Sequence, residues 1–219
     1  MAMTGTPGRA TRTRRTCENI LDAANAVFLE RGYSGASIDA IVERAGCSKE
    51  TVYAHFTNKA GLLKSIVERG TEVFRHKLDL VEEDRPIKDV LLDVAKGYLI
   101  FILTPEMQAF YRLVISESGR MPEVGDVFYR QGPEITANRL AARLRLWQRD
   151  GLITPDDPDR AAVIFFAMLR GDLQWRVLFN ATRSPTTVEI DAHAAFVVDG
   201  FLALCRYRDP ATRPSGDRD

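Results

Sequence analysis

Residues 37–59, SIDAIVERAGCSKETVYAHFTNK, constrain this chain more than any other stretch. Ile38, Ile41, Val42 and Ala45 recur at i, i+3, i+4 and i+7, one face of a 3.6-residue period. Ser37 stands at the N-cap position, and Asp39 in the first turn suits the positive end of the helix dipole. Gly46 follows the last periodic residue, where a left-handed C-cap costs least. Ser48 then opens a second helix in which Val52 and Phe56, four apart, face inward. Lys49, Thr51, Tyr53 and His55 are left for its other faces, and all four carry hydrogen-bond donors. Two short helices about a glycine turn, the second polar on its outer side, predict a helix-turn-helix with a reading helix over residues 48–56. Pattern alone also admits a plain packed helix pair with a solvated face.

The residue string decides between these. GCSKETVYAHFTNKAGLL resembles the recognition-helix signature of the TetR family of bacterial transcriptional regulators. Upstream, ILDAANAVFLERGYSGASIDAIVERAG is similar to that family's first and second helices. The resemblance is continuous from Arg14 to Leu63 and beyond that is one of helical layout, although FYRLVISESGRMPEVGDVFYRQGP over residues 110–133 is similar to the AefR-like branch. It implies an all-α fold, with an N-terminal three-helix helix-turn-helix DNA-binding domain joined by a long helix to a C-terminal helical ligand-binding and dimerisation domain.

Carried over residue by residue, the resemblance makes Ser37, Ser48, Lys49, Thr51, Tyr53, His55 and Lys59 the contacts to double-stranded DNA. Their chemistry suits the task. Lys49 in the first turn donates to guanine O6 and N7, and Thr51 offers a hydroxyl and a methyl to a base edge. Tyr53 and His55 supply donors to phosphate, and the helix starts at Ser37 and Lys59 are natural phosphate seats. Phosphate contacts set register, so only Lys49 and Thr51 are expected to read bases. Glu50 departs from the glycine frequent at that place in the family. It either accepts from cytosine N4 or complements the helix dipole, and the second role is favoured.

Thirty basic and thirty acidic residues cancel over 219 residues, so no global field drives this chain onto DNA. Local charge must do so. Arg9, Arg12, Arg14 and Arg15 precede the first acid, Glu18, and residues 1–12 read as a disordered basic arm able to touch phosphates. The domains expected are 13–60 for DNA binding, 61–206 for regulation and dimerisation, and 207–219 as a disordered tail. The first helix, residues 13–31, backs the helix-turn-helix with Ile20, Ala24, Val27 and Phe28, and Gly32 ends it. Leu62, Leu63, Ile66 and Val67 begin a long connecting helix that Arg85-Pro86 breaks. Helical patterns follow over 90–103, 106–118, 133–149, 159–179 and 190–205, with no alternating strand pattern.

One reading helix grips too few phosphates, and the family resemblance implies a homodimer on a pseudo-palindromic operator, its reading helices about 34–36 Å apart. The dimer surface expected on the last two helices includes Phe165, Met168, Trp175, Val197, Phe201 and Leu204, joined by Leu169, Phe196 and Gly200. The alternative is that these side chains fill the protomer core. For the small-molecule effector of the body, Phe101, Met107, Phe110, Tyr111, Trp147 and Phe166 offer aromatic and soft apolar surface. Arg170 joins them as a polar group, with Arg112, Glu117 and Asp172 as further candidates.

No enzyme is expected, and no metal or cofactor. His55, His76 and His193 make no pair at ligand spacing, and Cys17, Cys47 and Cys205 are scattered, with Cys47 read as a small buried thiol of the turn. No run of about 18 apolar residues spans a bilayer and no signal peptide opens the chain, so a cytoplasmic location is expected, without membrane partners. The rival function is an architectural or cell-division DNA-binding factor on the same scaffold, lacking a small-molecule switch.

Overall fold

The computed structural model describes residues 7–79, 85–180 and 183–207, and among these every regular element is helical. In chain order they are α1 Pro7–Gly35, α2 Ile38–Ala45, α3 Lys49–His55, α4 Lys59–Asp79, α5 Ile87–Ile102, α6 Pro105–Ser118, α7 Pro122–Tyr129, α8 Ile135–Arg149, α9 Pro158–Leu178 and α10 Thr187–Leu204. A single π-helical turn, Arg130–Glu134, joins α7 to α8 around Pro133. The chain divides into two compact units. One comprises Met1–Gly70 with Ala109–Gly132, the other Thr71–Gln108 with the residues from Pro133 onward.

In the first unit the expected boundaries of α2 and α3 hold closely. The Ser37 side chain accepts from Ala40 N at the start of α2, and Gly46 closes that helix in the left-handed conformation, φ 62°. The Ser48 side chain accepts from Thr51 N at the start of α3. Ile20, Ala24 and Phe28 of α1, Ile41 of α2, Val52 of α3 and Leu62 and Leu63 of α4 are fully buried, so α1, the two short helices after it and the start of α4 share one core. Polar ties supplement it. Asn19 Nδ2 donates to Ala45 O at 2.7 Å, and Arg44 makes a two-pronged pair with Glu30, both arms 2.6 Å.

Three features differ from expectation. The helix α1 begins at Pro7, so residues 7–12 of the expected arm are helical; proline suits a first turn, and Thr16 Oγ1 donates to Arg12 O at 3.0 Å. Residues 1–6 of that arm, and the expected tail from 208 onward, lie outside the described residues. Second, the 60/61 boundary does not divide the fold, because residues 109–132 pack with the N-terminal unit. The aromatic contacts Phe110–Phe128 and Tyr111–Phe128, at 6.0 and 5.3 Å, tie α6 to α7 there. The third is α7 itself: residues 122–129 form a helix started by Pro122, where a connection was expected.

The second unit is built on α5, α8, α9 and α10. Leu91 and Leu99 of α5, Leu140 and Leu144 of α8, Phe165 of α9 and Phe201 of α10 are fully buried. Phe165 meets Phe201 edge-on at 4.9 Å. Ion pairs Lys88–Asp199 and Lys96–Asp191, at 2.7 and 3.0 Å, flank the α5–α10 contact. A capping box starts α10, in which Thr186 and Glu189 exchange backbone bonds, and Arg183 beside Glu189 helps hold its carboxyl at a pKa of about 2.

Candidate nucleic-acid interface

The polar groups of the helix-turn-helix collect about the starts of α2 and α3. Lys49 of α3 pairs with Asp39 of α2 at 2.5 Å, which brings the first turns of the two helices together and raises the lysine pKa. Both partners are exposed, so the pair is worth little. Tyr53, four residues on and on the same face of α3, is 54% exposed with its phenol outward. Ser37 and Ser48 use their oxygens as caps, and Ser37 keeps its hydroxyl hydrogen to donate. Thr51 is half-buried, its hydroxyl 3.1 Å from Ser48 Oγ. Glu50 is drawn back onto the Ser48 hydroxyl and its own backbone N–H, which lower its pKa, in keeping with a capping role.

Two predicted contacts are placed otherwise. Lys59 turns inward: its Nζ donates to Tyr33 O at 2.6 Å and Ala36 O at 3.1 Å, and lies 4.5 Å from the Tyr33 ring centroid. Its ammonium is committed to the chain between α1 and α2, whose carbonyls are left over where α1 breaks, so only the backbone start of α4 remains for phosphate. Burial lowers its pKa, against the pull of Glu117 and Glu123. His55 is half-buried, with Nδ1 3.2 Å from Cys17 Sγ, leaving Nε2 as its handle for a ligand.

The effector candidates fall in both units. Phe110 and Tyr111 belong to the first unit, whereas Phe101, Met107, Trp147, Phe166 and Arg170 belong to the second. In the second unit Phe166 packs on Tyr98 at 4.8 Å, and Arg170 Nη1 donates to the Tyr98 hydroxyl at 2.9 Å. Trp147 is buried under the Arg143 guanidinium, and Asp172 pairs with Arg176 at 2.5 Å. Glu117 bonds to the first unit's own chain at Ser34. An open cleft of about 320 Å³ is lined by Pro155, Asp157, Arg160, Ile164, Leu204 and Cys205, none of them an effector candidate.

The expected dimer set splits as well. Phe165, Val197 and Phe201 are buried in the protomer, so they build its core rather than a surface. They fall there because α9 and α10 turn one stripe each onto α5 and α8 and another to solvent. The outward stripes carry Trp175 and Leu204 of the expected set, along with Val163, Phe179, Val188 and Phe196, and Met168 is half-buried. Cys17, Cys47 and Cys205 are free, Cys47 only half-buried, and burial pushes the Cys205 thiol up to about 11. The His76 side chain lies outside the described residues.

Comparison with known proteins bears on this geometry. The model of bacterial regulatory proteins of the tetR family matches residues 20–66, from within α1 through α2 and α3 into α4. The C-terminal domain of AefR-like transcriptional repressors matches residues 89–209. The chain belongs to the TetR family of transcriptional regulators. It is 30% identical to the transcriptional regulator UidR of Escherichia coli (strain K12), over 69% of this chain and 73% of that one. The transcriptional repressor ComR of the same organism is 27% identical over 59% of this chain, and the match spans only 58% of ComR. Among solved structures, the flavonoid-responsive regulator FrrA superposes with a TM-score of 0.72 at 32% identity, covering 87% of this TetR-family chain and 97% of FrrA. No helix among the described residues is long and apolar enough to cross a membrane.

Proposed function

We propose that this TetR-family regulator binds a pseudo-palindromic operator as a homodimer, represses from it in the cytoplasm, and is released by a small molecule. The observation that carries the reading is the exposed Lys49–Tyr53 edge of α3, framed by the capped serines 37 and 48. Lys49 leaves Asp39 to read a base, Thr51 supports it, and Ser37, Ser48, Tyr53 and the Nε2 of His55 bind phosphate. The outward apolar stripes of α9 and α10, with Phe196 77% exposed and Trp175 stacked on Phe179 at 5.5 Å, support a dimer formed through those helices.

Effector action requires different affinities for the DNA-competent and incompetent states. The Tyr98–Phe166–Arg170 group supplies aromatic surface with a directed donor, and the likeness to FrrA makes planar flavonoids the first class to try.

Selection of duplexes from a random pool by the full chain tests the reading. A symmetric site should emerge. Lys49→Ala should relax preference at one symmetric pair of positions, a loss of about 1–3 kcal/mol there. Tyr53→Phe should weaken all sequences alike. Phe196→Asp should yield monomers by light scattering that no longer hold the selected site. An asymmetric site, or a Phe196→Asp dimer, would refute the arrangement.

A further inference from the structure

The helix α1 does not end at Gly32; it breaks there and resumes for one turn. Gly32 has φ 73° and ψ 162°, and a fresh bond from Ala36 N to Gly32 O at 3.1 Å closes the turn that follows. A restarted helix leaves its first N–H groups without partners in the helix. Glu117 of α6 stands beside them. It accepts from the Ser34 hydroxyl, and its carboxyl is held below the usual range first by that bond and then, against burial, by the backbone N–H groups of Ser34 and Tyr33. Ser34 Oγ also lies 3.3 Å from Met121 Sδ.

Glycine is required at the break twice over. Its φ is in the left-handed region, and a Cβ there would stand 2.6 Å from Glu117 Oε1, so the carboxylate occupies the space a side chain would take. The carbonyl side of the same turn is held by the opposite charge, Lys59 Nζ of α4 on Tyr33 O and Ala36 O. The turn is thus held by an anion at the Ser34 hydroxyl and the Gly32 Cβ position and by a cation on its carbonyls, and the next residue, Ser37, caps α2. Both α4 and α6 continue in sequence from this unit into the other.

We propose that Glu117 is the positioning residue through which α6 governs operator binding: seated on the Gly32 break, its carboxylate fixes the turn that leads into α2 and so the setting of the reading helix. The proposal rests on the operator reading above. It makes the Glu117 contact a coupling element, which by reciprocity must be felt from the DNA side too.

Glu117→Gln in the full chain tests it, with the selected duplex as probe. Amide exchange of Tyr33 and Ser34 in the DNA-free protein should quicken by roughly tenfold, the scale of one lost charge-assisted bond. Affinity for the duplex should fall about three- to tenfold at fixed salt. In the wild type, duplex binding should add protection to the amides of residues 106–108 of α6, and this response should vanish in the variant. Unchanged exchange at Tyr33 and Ser34 would overturn the proposal, as would wild-type affinity or a surviving response in α6, because a merely structural carboxylate leaves that response intact. Should Glu117→Gln not fold, Glu117→Asp, which keeps the charge but retreats by one methylene, is scored on the same readouts. A wild-type chain that selects no duplex sinks the operator reading and this proposal together, whereas a binding wild type matched by its variant sinks this proposal alone.

Discussion

Two of the described helices are interrupted by a glycine at positive φ, and each interruption is answered with opposite chemistry. In α1, the helix breaks at Gly32, and Glu117 arrives from α6 to accept from the Ser34 hydroxyl just after the break. In α9, Gly171, with φ 39° and ψ −146°, releases an acceptor, Leu169 O, which stands 2.9 Å from His193 Nε2 of α10. The space around them differs too. The Gly32 Cβ position is filled by a carboxylate oxygen, whereas the nearest atom to a Cβ at Gly171 would be His193 Cε1 at 3.8 Å, an ordinary contact. A broken helix, then, is not by itself a hinge; what it does depends on which groups it exposes and on which element carries the side chain that satisfies them. At Gly32 that side chain sits on a helix shared in sequence between both units. At Gly171 it stays within one.

That contrast can be broken in four ways. The largest effect is expected from Gly32→Ala, which meets both backbone strain and the Glu117 oxygen and should cost about 2–4 kcal/mol in urea unfolding. Gly171→Ala meets strain alone and should cost about 1 kcal/mol; equal losses would show that Glu117 does not fill the site. Combining Gly32→Ala with Glu117→Ala should cost less than the sum by at least about 0.5 kcal/mol, because the second change removes the obstacle to the first. Strict additivity would separate the two residues.

His193→Ala should cost about 1 kcal/mol by leaving Leu169 O without its imidazole, with operator affinity unaffected if that break is only structural. A marked loss of DNA binding would make the two breaks functionally alike. The smallest effect is in pH. The Glu117 carboxyl is lowered from its ordinary 4.5, so its contribution is present above pH 4.5 and lost as pH falls through the depressed folded value. Glu117→Gln should therefore flatten the acid limb of the stability curve, and a parallel curve would mean the carboxyl is not held in the folded state.

The reading head was legible because its signals are local. The caps Ser37 and Ser48, the left-handed Gly46 and the spacing of Ile38, Ile41 and Ala45 each act within a turn or two of chain, and the structure places α2 and α3 between those caps. The outward face of α3 could be read for the same reason. Lys59 could not. Its spacing marks the start of α4, but the carbonyls that claim its ammonium are left over 23 and 26 residues earlier by the Gly32 break, and nothing near residue 59 announces them. The pairing of His55 with Cys17 is nonlocal in the same way.

Apolar periodicity in α9 and α10 likewise identified two buried helices without saying which stripe was inside. Phe165 and Phe201 face each other in the protomer, while Phe196 and Trp175 face solvent, and helices apolar on several sides carry no internal mark of the difference. The sequence by itself therefore determined the helical class, the head and its family, since each rests on contacts within a few residues. Tertiary structure alone decided which charges are spent indoors, which apolar faces are left outside, and that Glu117, 83 residues from Ser34, completes the turn before α2. Those depend on which distant elements meet, and no local period encodes a meeting.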